Sequence, residues 1–185
     1  MFTIKIRIAD DIDELQDAKL GCWDERYGIE GFIRVSIGSH GVGIYYDNPL
    51  REGLIGMEDI DWWLSSFLSC ADNIQETGYV AFIAPDTVDY WLEFSLVKNT
   101  LVFNAATPKA EVMRHSVIHE RIIDFAYSEP INTEISISAF FKEIICATKF
   151  FLTEIEAINP DLLLTRMGKD ILRLLESVEH KASCL

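Results

Sequence analysis

Positive charge is what this chain has least of. Sixteen lysines and arginines stand against 30 aspartates and glutamates, a formal charge of −14 at pH 7. Nucleic acid and anionic membranes are therefore poor partners, whereas a basic protein would be drawn in by the field. Acidity of this kind also serves plain solubility. Cysteine is sparse and unpaired: Cys22, Cys70, Cys146 and Cys184 form no CxxC motif, and Cys70 and Cys146 fall in apolar helical patterns, as small core residues do. A reduced cytoplasm is the expected compartment. No apolar run approaches the roughly 20 residues that cross a bilayer. The opening MFTIKIRIADD alternates like a strand and lacks the apolar block of a signal peptide.

What is present describes one globular domain over residues 1–185. Hydrophobic residues make up 49% of the chain, which excludes intrinsic disorder. A chain of this length buries roughly 70% of its unfolded surface, so no disulfide or metal staple is required. The acidic excess is concentrated early, with 13 acidic and 6 basic residues in positions 1–61.

Periodicity sets the elements. Ile4, Ile6 and Ile8 alternate with polar residues as in a half-buried strand. Asp10, Asp11, Asp13, Glu14 and Asp17 then crowd a stretch that must be solvated, as a loop or a weak helix. Phe32, Val35 and Ile37 mark a second strand, and Ser39-His40-Gly41 a turn before GIYYD, predicting a hairpin. NPLREGLIG reads as loop. From about Glu58 to Ile74, apolar residues recur at three- and four-residue spacing, a helix with Glu58, Asp59 and Asp61 at its start and Trp62 off the buried face. GYVAFIA, DYWLEFSLV and TLVFNA predict three closely spaced, hence antiparallel, strands. In the second of these, Tyr90, Leu92, Phe94 and Leu96 alternate with Trp91, Glu93 and Ser95. Residues 117–127 favour a long strand, with a helix as the alternative. Two helices end the chain, one capped by Ser136 or Ser138 and running to Ile158, the other over Leu162 to Val178, with Asn159-Pro160 between them. The fold class expected is α+β: an antiparallel meander of six to seven strands with helices packed on one face, including two C-terminal helices.

Catalytic patterns are scarce. His115 and His119, four apart beside Glu120, could share a metal from a helix face, but the order is not HExxH and no third ligand is evident. On a strand the two would lie about 13 Å apart. There is no GxSxG elbow, and Gly41-Val-Gly43 leads into a strand rather than a helix, so it is no phosphate loop. Carboxylates are too numerous for any pair to be singled out. The reading is a binding protein, not an enzyme, with no metal and no cofactor. Its expected contact residues are Asp10, Asp11, Asp13, Glu14, Asp17, Trp23, Asp24 and Trp62, since exposed aromatics anchor interfaces and acids around them select a basic partner. The competing reading places Trp23 and Trp62 at the core edge and Trp91 on the second face of the sheet.

The helix EDIDWWLSSFL between strands, the strand GYVAFIA, and the Trp-bearing DYWLEFSL ahead of a helical tail give the chain, over residues 30–105, a style that resembles the small acidic immunity proteins encoded beside polymorphic or contact-dependent bacterial toxins. The resemblance implies a stoichiometric inhibitor that binds a cognate toxin and blocks its active site or an adjacent exosite. Many such toxins are basic nucleases, for which an acidic inhibitor acts partly as a nucleic-acid mimic. A small-ligand-binding module, or an adaptor in a larger assembly, is the alternative.

Overall fold

The structure, a computed structural model, describes residues 1–19, 28–49, 55–85, 87, 89–110, 116–127 and 132–185. It is an α+β fold whose strands are antiparallel throughout and fall into a four-stranded and a six-stranded sheet. In the smaller sheet, β1 (Phe2–Ile8) pairs with β2 (Glu30–Ile37), so that Phe2 lies opposite Ile37 and Ile8 opposite Gly31. Between these strands lies the short helix α1 (Ile12–Asp17). A hairpin joins β2 to β3 (His40–Gly43). Its turn falls at Gly38 and Ser39, earlier than expected. Gly38, at φ 63°, supplies the positive φ that a two-residue turn needs, and His40 and Gly41 are already paired with Ile37 and Ser36. The expected strand GIYYD ends at Gly43. Beyond it Tyr46 leaves the ladder and stacks edge-on against Phe32, with ring centroids 4.9 Å apart.

Helix α2 (Ile60–Thr77) starts after Glu58, because Glu58–Asp59 form a short strand, β4, against Glu30 and Gly31. It stops at Gly78, whose φ of 69° permits the left-handed cap. The larger sheet has β5 (Tyr79–Ile83), β6 (Trp91–Val97) and β7 (Thr100–Pro108) at its centre. β8 (Val117–Ile118) lies beside β5, while β9 (Phe125–Ala126) and β10 (Thr133–Ser136) both pair with β7. Residues 117–127 are thus neither the long strand expected nor a helix. Their alternation is that of a strap lying on a sheet: Ile118 and Phe125 pack with Tyr79, Ala81, Trp91 and Ala106, whereas Glu120 and Ile122 are exposed.

The chain closes with α3 (Ile137–Ile158), a 3-10 turn (Pro160–Leu164) and α4 (Arg166–Ala182). The last helix is shorter at its start than expected, because Thr165 breaks the run and accepts a hydrogen bond from Gly168 N at 3.1 Å. Cys146, expected in the core, is exposed on α3. The buried face of that helix is set by Phe140, Phe141, Ile144, Phe151 and Ile155, and only Cys70 is a buried thiol among the described cysteines. No helix among the described residues is long and apolar enough to cross a membrane.

One apolar cluster takes in both sheets and α2, α3 and α4. Phe67 of α2 is at its centre. Its ring lies 5.8 Å from Phe2, 5.9 Å from Trp63, 5.1 Å from Phe82, 6.3 Å from Phe94 and 6.4 Å from Phe140. Phe67→Ala should lower unfolding stability by about 3–5 kcal/mol. Phe150→Ala, at a half-exposed position of α3, should change it by less than about 0.5 kcal/mol. Urea denaturation of the two variants checks the contrast.

Candidate functional site

The first candidate surface is the acidic segment after β1. Six residues of helix are too few to hold themselves together, so α1 must be fixed from outside. Two contacts do this. Leu15 is fully buried, and Asn159 Nδ2 lies 3.0 Å from Leu15 O, 3.1 Å from Ala18 O and 3.4 Å from Gln16 O, carbonyls at the C-terminal end of the helix. Asp11 caps the other end, accepting from Glu14 N at 3.1 Å. Asp11, Asp13, Glu14 and Asp17 are consequently displayed on a fixed support and are exposed. Asp10 turns inward, accepting from Asp11 N and, at 3.1 Å, from Glu30 N.

That turn brings Asp10 towards the start of α2. Asp61 accepts from Ile29 N at 2.6 Å, and both Asp59 and Asp61 border Gly28, where a Cβ would come within 2.9 Å of either carboxylate. Burial pushes the Asp61 carboxyl above the usual range, and the charge of Asp10 adds to the effect against the backbone hydrogen bonds that oppose it. Trp62, next in sequence, keeps 38% of its surface exposed on the outer side of α2. Trp23 and Asp24 lie outside the described residues, as do Cys22 and His115. His119 follows β8, and among the described residues no group of histidines, cysteines and carboxylates could hold a metal ion.

The second candidate was not legible as a site. Period-two alternation turns Trp91, Glu93 and Ser95 of β6 away from the helices, and the register sets Glu93 opposite Asn104 and Ser95 opposite Tyr79. The strap of residues 117–127 then covers this face, leaving Glu93 only 1% exposed. Tyr127 O–H reaches both carboxylate oxygens, at 3.1 and 3.0 Å, and Asn104 Nδ2 donates from 3.4 Å. Asn104 also accepts from the backbone N–H of Asn132 at 3.0 Å, holding that residue at φ 37°. Arg121 approaches Glu93 no closer than 3.8 Å. It donates instead to Ser95 Oγ at 2.9 Å and lies over the Tyr79 ring. The Tyr79 hydroxyl is buried beside the carboxylate, and burial, then the charge and hydrogen bonding of Glu93, raises its pKa. Glu93, Asn104, Arg121, Tyr127 and Asn132 line a pocket of about 310 Å³. The one signal in the sequence was a glutamate alternating with Trp91 in a strand otherwise apolar. Nothing there showed that residues 117–127 would cover it.

The chain matches no protein-family model, and comparison with curated proteins and with solved structures returns no match.

Asn159→Ala should loosen α1 together with the 3-10 turn, whose Asp161 N the same side chain accepts from, costing about 1–3 kcal/mol and speeding amide exchange from Leu15 to Ala18 before the sheets. Hydrogen-exchange mass spectrometry separates this from global unfolding. Asp61 gives a pH dependence of defined sign. An acid whose folded pKa is raised opposes folding once ionised, so its contribution worsens as pH rises from the ordinary aspartate range through the raised value. Asp61→Asn, which keeps an acceptor for Ile29 N, should therefore be more stable than the parent at pH 7. The difference should vanish in acid, as thermal melts across pH would show.

Proposed function

We propose that this chain is a stoichiometric protein-binding inhibitor, an immunity protein that neutralises a cognate basic bacterial toxin. The observation that carries the reading is the fixed acidic rim: Asp11, Asp13, Glu14 and Asp17 stand exposed on a helix pinned by Leu15 and Asn159, in a chain of net charge −14. Carboxylates already held in place lose little freedom when a partner docks, so more of their attraction survives as affinity. Their field also extends about 10 Å at moderate salt, which speeds capture of an oppositely charged surface. The partly exposed Trp62, adjoining Asp61, adds an aromatic of the kind that anchors interfaces. An inhibitor of this design covers the toxin's active site or a neighbouring exosite, and an acidic face suits a nuclease whose own site is basic.

The reading is tested by affinity capture with the tagged chain from its native lysate, at low and then high salt, followed by kinetics with the retained protein. One basic protein in near-equal amount, weakened by salt, is the expected result. The double variant Asp13→Lys, Asp17→Lys should then associate at least about tenfold more slowly at low salt, with the two rates converging at high salt. Its unfolding midpoint should barely move, because exposed charges contribute little to stability. An unchanged association rate at low salt would remove α1 from the interface.

A further inference from the structure

Glu93 and Arg121 make an incomplete ion pair. The carboxylate is buried, yet among the described residues no cation comes within hydrogen-bonding distance of it, since Arg121 Nη2 stays at 3.8 Å. A buried carboxylate is costly unless it is paired or fully hydrogen-bonded. Its neighbours here are the Tyr127 phenol, the Tyr79 hydroxyl buried beside it and one long contact from an amide, all neutral, whereas two carboxylate oxygens offer about four acceptor sites. Arg121 is incomplete in the complementary sense. Its side chain is 64% exposed, and the hydrogen bond that it makes is to a neutral hydroxyl, Ser95 Oγ. A guanidinium carries five donors in a planar fork suited to a carboxylate.

A carboxylate held only by neutral donors and a largely solvated guanidinium thus stand side by side on the wall of one pocket. A ligand that was only a cation would satisfy Glu93 and be repelled by Arg121, and an anion would meet the reverse. A molecule bearing an ammonium and a carboxylate close together meets both demands and leaves the site's net charge unchanged. Asn104 and Asn132 supply neutral amides to the same pocket, and Asn104 in turn fixes Asn132 at a positive φ that non-glycine residues rarely take. At about 310 Å³ the space is at the lower end of small-molecule sites.

We propose that this pocket binds a small zwitterion of the α-amino acid class, its ammonium donating to Glu93 and its carboxylate accepting from Arg121. Tyr127, which donates to both oxygens of Glu93, positions the carboxylate. The site is distinct from the acidic rim of α1 and does not depend on the inhibitor reading, so toxin capture and amino-acid binding fail or succeed separately.

The test is isothermal titration of the full chain with the common L-amino acids one at a time, each also as its N-acetyl derivative and its primary amide. At least one free amino acid should bind with a dissociation constant below about 1 mM, which corresponds to about −4 kcal/mol. Its acetyl and amide forms should each bind at least tenfold more weakly. Glu93→Gln and Arg121→Met should each weaken the free amino acid by at least tenfold. Because removing a buried carboxylate can disturb folding, Arg121→Met at its exposed position is the deciding variant, with circular dichroism as the fold control. Absence of binding by every amino acid up to 10-fold above about 1 mM would overturn the proposal. So would equal binding of a free amino acid and its amide, or undiminished binding by folded Arg121→Met.

Discussion

The ring of Phe67 is the constraint on which the architecture turns. It touches Phe2 from the smaller sheet, Phe82 and Phe94 from the larger, and Phe140 from α3. Two sheets that share no ladder hydrogen bond among the described residues are thereby packed against one helix. Aromatic pairs at these separations prefer edge-on or offset geometry, so each contact fixes an angle as well as a distance. The sheets also meet at the β2–β3 hairpin, where His40 Nε2 and Tyr90 Oη lie 2.6 Å apart and Thr133 crowds Gly38. The edge of β1 is closed differently, by Glu143 of α3 accepting from Ile4 N at 2.8 Å. A carboxylate there takes the place of a further strand and blunts an edge open to unwanted pairing.

With the helices occupying one face of the larger sheet, the other face is free for a different chemistry. Its residues follow from the pleat: where Leu92 and Phe94 point to the helices, Trp91 and Glu93 must point away. A glutamate on an open sheet face would be an ordinary solvated charge. The strap of residues 117–127, held by Ile118 and Phe125, converts it into a buried one. The local hydrophobic contacts thus provide the free energy that holds the strap over Glu93, and Tyr127 at its end donates to that carboxylate.

How far the sequence could be read depended on whether the signal was periodic or tertiary. The strands led by Ile4, Tyr79 and Leu92, the helix around Trp63 and Phe67, and the two C-terminal helices were all legible, because each buries one face at a fixed spacing. The 117–127 strap was not, since alternation says that a segment has two sides but not that it pairs with a neighbour. The hairpin turn was expected at Ser39-His40-Gly41 and fell earlier, because Gly38 supplies the positive φ that the turn needs. Cys146 showed the limit of reading an apolar run as buried: α3 carries Phe150 on its outer side as well. Of the expected contact residues, the four outer acids of α1 were correctly expected at the surface. The inward hydrogen bond of Asp10 to Glu30 N joins positions 20 apart, which no local pattern can encode. Asn159 is the same case across 144 positions, where Asn-Pro announced a helix boundary but not the anchoring of α1.

The scarcity of basic residues acquires a structural meaning from where they lie. Lys181 bridges from α4 to Asp72 and Glu76 of α2, Arg7 holds the carbonyls of Tyr46 and Asn48, Lys109 pairs with Asp124, and Lys149 pairs with Glu179. These cations are used to fasten one part of the fold to another. At Asp72, burial alone would raise the pKa, but the hydrogen bonds from Ser177 and Lys181 outweigh it and hold the carboxyl below its usual range. Only part of the acidic excess can be neutralised internally in this way, and the remainder sets the outer field. Salt acts unequally on the two populations. The partly buried Lys181 staple is poorly screened, whereas the solvated carboxylates of α1 are screened within about 10 Å at 0.1 M. The fold can therefore persist at an ionic strength that silences its long-range attraction, which separates the charge that holds this protein together from the charge that it presents to others.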